Sequence, residues 1–239
     1  MTHRTALMIA AALIFGVPAA HASGLDLTFH LEIGAGLSHY AIEPDGIWYQ
    51  VGMPHSIQRN GRVWQIGMGG DIAQMDVHAS RIGLAYHVDY VNLGHARATC
   101  DCTTIDADYD AHAHRLIVPQ SVAPVARYAG NGMAQGIKIA IEPYITFRGY
   151  RFGYEYGEFV FRSPWRDTVY DWPASPQGPF ITGTNYSPTR LQPGRVFGFS
   201  VSRGHFTLSY EHYRMPISAS ASIPPFYTGA QVVMLTYQF

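Results

Sequence analysis

Residues able to bind a metal are concentrated in one stretch of the sequence. From Asp106 to His114 every second position is a potential ligand, so an extended chain would place these side chains on one face. Thiolates and imidazoles suit zinc or copper, whereas carboxylates suit calcium. The spacing matches no specific zinc motif. Alternatively, the two cysteines form a strained disulfide, and the acidic and histidine side chains belong to a solvated loop. No cofactor is therefore predicted, and the metal candidates are Cys100, Cys102, Asp106, Asp108, Asp110, His112 and His114.

A second residue with chemical potential is His212, in the stretch from Tyr210 to Arg214. A nucleophilic hydrolase needs a hydroxyl within reach of a base, and the base needs an orienting partner. Serines follow between positions 218 and 222, but no Asp or Glu occurs after His212. The local sequence therefore assembles no triad, and His212 is kept as a catalytic candidate only.

A third group consists of charged residues that alternate with apolar ones. From Leu25 to Ser38 the odd positions are apolar or small, while the even positions carry polar residues such as His30 and Glu32. This two-residue period predicts a β-strand with one polar face. If several such strands enclose a polar interior, their charges form a network of salt bridges, with an ion or proton path as the alternative. The predicted network is His30, Glu32, Lys138, Glu142, Arg151, Glu155 and Glu211.

Eight segments show this alternation, and the connections between them are long after the odd strands and short after the even strands. Pro143 predicts a bulge, or a position where a missing donor is tolerated. Near Glu158 the alternation is expected to shift, so that Phe159 and Phe161 face outward. The predicted strands are 25–38, 62–71, 81–90, 136–147, 150–161, 197–202, 206–211 and 230–239.

These patterns predict an all-β fold: an eight-stranded antiparallel up-and-down transmembrane β-barrel with four long extracellular loops. A soluble β-sandwich and a ten-stranded barrel are the alternatives. Residues 1–22 read as a signal peptide, with a short basic start, an apolar core and an A-x-A-like site at Ala20 to Ala22. The barrel is then the remainder, 23–239. A net charge of −1 argues against general nucleic-acid binding.

The final strand, Ala230 to Phe239, resembles the closing strand of bacterial outer-membrane barrels. That resemblance implies outer-membrane localisation and recognition of the terminal aromatic residue by the assembly machinery. The alternating pattern of the whole barrel segment resembles the small OmpA, OmpX and PagL types, although no diagnostic motif is present. The implied partners are outer-membrane lipid, lipopolysaccharide and an unidentified extracellular ligand.

The position of His212 also resembles the active site of PagL-type lipid A deacylases. In that family a His-x-Ser on the penultimate strand and a later Glu form a triad, but here Arg214 stands at the serine position. We therefore expect a non-enzymatic role in membrane integrity, surface interaction or adhesion, with His212 and Arg214 contacting lipopolysaccharide phosphates at the rim. The alternatives are an outer-leaflet lipid A-modifying enzyme and a small passive pore.

Overall fold

The computed structural model describes residues 27–42, 55–77, 80–102, 108–110, 115–117, 126–171, 181–186, 190–216 and 227–239, and all regular elements within them are β-strands. The predicted signal peptide lies outside these ranges. The described residues contain no helix with the length and apolar composition needed to traverse a lipid bilayer. The strands are β1 (His30–Ile42), β2 (His55–Gln58), β3 (Asn60–Val77), β4 (Ser80–Cys102), β5 (Asp108–Asp110), β6 (Arg115–Ile117), β7 (Ala126–Phe147), β8 (Tyr150–Arg162), β9 (Trp165–Asp171), β10 (Ile181–Tyr186), β11 (Gln192–Arg203), β12 (Phe206–Arg214) and β13 (Tyr227–Gln238).

Eight of these strands close a ring, in the order β1, β3, β4, β7, β8, β11, β12, β13 and back to β1. Every neighbouring pair in the ring is antiparallel. Closure leaves no free strand edge in the ring, because the last strand pairs with the first along eleven residue pairs, from Glu32 with Gln238 to Ile42 with Tyr227. The predicted eight-stranded antiparallel up-and-down barrel is confirmed.

Short connections lie at one end of the barrel, which is also the end where β1 begins and β13 stops. Arg148 and Gly149 both have positive φ, 50° and 79°, which matches the tight turns that suit the twist of a β-hairpin. The opposite end carries the long connections. We call these the short-turn end and the long-loop end.

The long connections contain additional strands, which corrects the prediction of plain loops. Strand β4 continues to Cys102 and β7 already begins at Ala126, so both extend well beyond the ring. Strand β2 pairs with β4, and β9 pairs with β7 and with β10. Residues 73–77, which fall between the predicted strands 62–71 and 81–90, form the end of β3. A bulge at Asn92–His95, where Gly94 has φ of 79°, lets β4 bend and continue.

Alternation along the ring strands separates an apolar outer face from a filled interior. On β3, Trp64 and Ile66 are exposed whereas Gln65 is buried, and on β13 Val233 and Leu235 are exposed whereas Val232 and Met234 are buried. The interior itself has two layers. The layer towards the long-loop end is an apolar cluster, which includes Tyr40, Val63, Leu93, Phe159, Phe161, Val196, Tyr213, Met215, Val232 and Met234.

The expected shift of alternation in β8 is wrong. Phe159 and Phe161 are 0% and 2% exposed, and their rings stack with centroids 5.3 Å apart inside the barrel. The alternation in fact continues unbroken, and it is the charged Glu158 that faces outward. Aromatic type therefore misled the prediction, because the apolar layer of the interior needs large side chains as much as the outer face does.

Of the two alternatives predicted for Pro143, the structure shows the second: the strand has no bulge there, and the missing backbone N–H falls where the ladder to β8 is interrupted. The β7–β8 ladder omits Glu142 and Pro143 and resumes at Tyr144 in the same register as before. On the other side Pro143 stays paired with Leu84 of β4.

Candidate functional site

Lys138 lies at the centre of the interior and contacts three carboxylates. Its Nζ is 2.9 Å from Glu155 Oε1, 3.2 Å from Asp89 Oδ2 and 3.3 Å from Glu211 Oε1. The four residues come from β7, β8, β4 and β12, so the contacts join strands on opposite sides of the ring. Lys138 points inward because its neighbours Ile137 and Ile139 occupy the outward positions of β7.

His87 lies between two further carboxylates, towards the short-turn end. Its Nδ1 is 3.1 Å from Glu32 Oε1, and its Nε2 is 3.4 Å from Glu142 Oε2. His30 approaches the other oxygen of Glu32 at 3.7 Å. The imidazole of His87 therefore connects β1 to β7 across the interior.

Arg151 completes the polar layer near the short-turn end. Its Nη1 is 3.1 Å from Asp71 Oδ1 and its Nη2 is 2.9 Å from Glu142 Oε1. The guanidinium also stacks over Tyr144, 3.7 Å from the ring centroid. Gly83 leaves room for that ring, because a Cβ there would collide with Tyr144.

Glycines at inward positions create space for the charged side chains. A Cβ on Gly67 would collide with Asp89, and a Cβ on Gly153 would collide with the carboxyl group of Glu142. Hydroxyl groups provide further hydrogen bonds, since Ser200 donates to Glu142 Oε2 at 3.1 Å and Tyr213 donates to Glu211 Oε2 at 2.5 Å. Small inward residues therefore position the ionic layer as much as the charged residues do.

A cavity of about 20 Å³ remains inside this layer, and it is lined by polar and charged side chains. A volume of that size holds a single water molecule or ion and is far too small for an organic substrate. The interior can hold an ion or a proton, but it cannot hold a substrate for acyl or glycosyl transfer. Its lining includes Glu32, His87, Lys138, Glu142, Arg151 and Glu155.

The structure places all seven residues of the predicted network on the interior side and brings them together. It adds Asp71, His87 and Asp89, which the predicted network omitted. The inward phase of β4 carries His87 and Asp89 at alternate positions, and this was the available signal. What the sequence lacked was register, since only the pairing of Asp89 with Lys138 across β4 and β7 reveals that the two are neighbours.

His212 projects from the outer face near the long-loop end. Its ring stacks on Phe197 with centroids 4.9 Å apart, and Arg214 next to it on the same face is exposed. Within the described part of the chain, its surroundings contain no carboxylate bound to the imidazole. The serines between 218 and 222 lie outside the described residues, so the arrangement needed for hydrolysis is untested and stays a hypothesis.

The candidate metal residues of the loop cannot be assembled from the described side chains. Cys100 and Cys102 lie on β4, and Asp108 and Asp110 lie on β5, which pairs with β6. Asp106, His112 and His114 lie outside the described residues. This metal site stays a prediction.

The sequence matches no protein-family profile and no curated protein. Among solved structures, the chain is similar to that of Ail, the attachment invasion locus protein of Yersinia pestis, in complex with the heparin analogue sucrose octasulfate. The identity is 9% and the TM-score is 0.38, and the match covers 90% of this chain and 100% of that chain. It is also similar to Neisserial surface protein A, with 8% identity, a TM-score of 0.30, and coverage of 90% and 99%. With TM-scores below 0.5 these likenesses carry no weight for function, which has to come from the residues of this chain.

Proposed function

We propose that this chain is an integral outer-membrane β-barrel protein that acts without catalysis, through surface interaction or adhesion at its long-loop end. The observation that carries the proposal is the inverted polarity of the barrel. Soluble proteins place ions outside and apolar side chains inside, and rarely expose apolar patches beyond a few hundred Å². Here charged side chains are buried inside the barrel and apolar side chains cover its outer surface, which suits a lipid solvent.

The outer apolar surface extends over all eight ring strands. Exposed fractions reach 66% at Leu37, 65% at Phe199 and 53% at Leu235, without any partner element packed over these side chains among the described residues. Only a lipid or detergent phase would remove this surface from water at a favourable free energy. Other exposed members are Ile33, Ile66, Ile82, Ile139, Ile141, Phe152, Tyr154, Leu208 and Val233.

Aromatic side chains border this surface at both ends. At the short-turn end Tyr237 contacts Phe206 and Phe239, with ring centroids 5.1 and 5.0 Å apart. Towards the long-loop end Trp64 contacts Tyr90, with centroids 5.5 Å apart. Aromatic girdles at the two interfaces are typical of membrane barrels, because amphipathic rings fit the headgroup level.

Exposed arginines follow the aromatic residues towards the long-loop end. Each of these arginines lies close to the long-loop end of its ring strand: Arg62 on β3, Arg162 on β8, Arg195 on β11 and Arg214 on β12. We call these four residues the arginine rim. Arginine binds phosphate through paired N–H donors, so the rim suits the phosphates of lipopolysaccharide around the barrel. Glu158, 4.0 Å from Arg195, is a negative charge on the same level.

The test is an epitope inserted in the connection between Asp171 and Ile181, with the chain expressed in a Gram-negative host. We expect antibody to label intact cells, and we expect the extracted protein to migrate differently on a gel before and after boiling. Solubility without detergent, or labelling only after lysis, would contradict the membrane proposal.

Adhesion needs a separate measurement. Cells that display the chain are compared with cells that display a version whose long connections are shortened to tight turns. We expect the full chain to increase attachment to host cells or matrix, and equal attachment by the two versions would remove the adhesion role.

A further inference from the structure

The orientation of His87 is the first observation that points to a bound ion. Its Nδ1 lies 3.1 Å from Glu32 Oε1, within hydrogen-bond distance. An imidazole that donates from one nitrogen to a carboxylate presents the lone pair of its other nitrogen, and this is the usual arrangement of metal-binding histidines. Glu32 would then fix both the tautomer and the ring orientation.

The second nitrogen of His87 is buried without a hydrogen bond. His87 is 7% exposed, and among the described residues Nε2 makes no hydrogen bond of good geometry, although Glu142 Oε2 lies 3.4 Å from it. It lies instead beside the cavity of about 20 Å³, which is also lined by Glu142 and Glu155. That volume accommodates one ion or water.

The three side chains have the separations of a coordination site. Ligand-capable atoms of His87, Glu142 and Glu155 lie within 4.8 Å of one another, and His87 Nε2 is 3.4 Å from Glu142 Oε2. A tetrahedral ion with bonds of about 2.1 Å separates its ligand atoms by roughly 3.4 Å. A second grouping, His87 with Glu32 and Asp89, satisfies the same distance limit, but its Glu32 already accepts the Nδ1 proton.

The charges of the interior also favour a bound cation. Five carboxylates are buried there, at Glu32, Asp89, Glu142, Glu155 and Glu211. Two side chains of permanent positive charge contact them, Lys138 and Arg151. Buried carboxylates without compensating charge are costly, so a divalent ion would offset most of the remaining negative charge.

From these observations we propose that the barrel interior binds one divalent transition-metal ion, of which Zn²⁺ is the reference case. The ligands are His87 Nε2 and one carboxylate oxygen each from Glu142 and Glu155, with a water as the fourth ligand. One imidazole with two carboxylates suits zinc and its neighbours in the first transition row. Glu32 contacts His87, Ser200 donates to Glu142 and Lys138 contacts Glu155, so each of the three protein ligands has an outer partner.

The experiment uses the full barrel segment refolded in detergent with excess ZnCl₂, because the interior is closed to later entry. Free and surface zinc is removed with a chelating resin, and zinc per chain is measured by mass spectrometry. We expect His87→Gln and Glu155→Gln each to lose one equivalent relative to the parent chain. The difference is what counts, since loop residues such as Cys100 and His112 could bind zinc of their own.

The matched control is Glu211→Gln, which removes an interior carboxylate that contacts Lys138 but is not one of the ligands. It should retain the zinc content of the parent, and gel migration before boiling verifies that each variant is folded. Equal zinc content in the parent and the two ligand variants would overturn the proposal and leave His87 as an imidazolium between two carboxylates.

X-ray absorption on the zinc-loaded parent provides a second readout that needs no variant. We expect a first shell of nitrogen and oxygen at about 2.0–2.2 Å with one imidazole. A shell made of sulfur alone would locate the zinc at the cysteines and contradict an interior site.

Discussion

At the scale of single residues, Lys138 shows why this interior uses one lysine rather than a second arginine. Its side chain is 1% exposed, and its ammonium contacts carboxylates on three strands. Three N–H donors that point in different directions suit three carboxylates, whereas the donors of a guanidinium lie in one plane. Lys138 is also the chain's one lysine, while arginine supplies the remaining positive charges of the barrel.

Replacing Lys138 by Met should therefore destabilise the barrel strongly. Removing one partner of a buried ionic group leaves uncompensated charge, which costs about 3–5 kcal/mol in free energy of unfolding. Urea titration in lipid vesicles, followed by gel migration, measures the difference. The control is Arg148→Met, which removes a positive charge at the exposed turn and should change stability by no more than about 0.5 kcal/mol. Similar midpoints for the two variants would contradict the role assigned to Lys138.

His212 carries the second prediction at this scale. Its ring stacks on Phe197, and its neighbours on the outer face are Tyr210 and Arg214. Among the described residues no carboxylate orients the imidazole, and an imidazole without such a partner is a poor general base. We expect lipid A from cells that express the chain to have the mass of lipid A from control cells. Loss of one acyl chain that His212→Ala restores would contradict this and establish the deacylase alternative.

At the scale of elements, the sequence predicted the strands well because a two-residue period is a local property. The alternation of β1, β3 and β13 could be predicted from side-chain type alone, since these strands separate polar from apolar faces. The phase of β8 at Phe159 and Phe161 could not be predicted in this way. The two aromatic rings face inward there and the charged Glu158 faces outward, because that strand passes from the ionic layer into the apolar layer of the interior.

Register and strand extension were also beyond the sequence. The extension of β4 to Cys102 depends on pairing with β7 and β2, whose residues are distant in the chain. The same limit applies to the ionic layer. Its members could be predicted as interior residues, but the three carboxylates around Lys138 follow only from how four strands align.

The closing strand β13 offers a test of the lipid-facing surface. Leu235 is 53% exposed, and it lies between Tyr237 and the polar Gln231 on the outer face. An arginine near the bilayer midplane costs about 2–4 kcal/mol, and one near the interface about 0–1 kcal/mol. We expect Leu235→Arg to lower the free energy of unfolding in vesicles by the larger amount and Gln231→Arg by the smaller. Equal effects of the two variants would show that Leu235 does not face lipid.

At the scale of the whole molecule, the two layers of the interior decide whether the barrel conducts ions. The ionic layer leaves a cavity of about 20 Å³. The apolar layer above it contains Tyr40, Phe159 and Tyr213, each fully buried. An eight-stranded barrel encloses a space that side chains fill. In this barrel one layer of that space is filled by charged side chains and the other by aromatic and aliphatic side chains.

We therefore expect no stepwise conductance when the refolded protein is added to planar bilayers. The apolar layer is the stronger barrier, because an ion that passes it loses its hydration shell and finds only aromatic and aliphatic side chains, which provide few polar contacts to replace the lost water. A larger open barrel in the same bilayers verifies the sensitivity of the recording, and gel migration verifies that the protein has folded. Steady, reproducible current steps would mean that Phe159 and its neighbours move out of the interior, and they would favour the passive pore over a surface role.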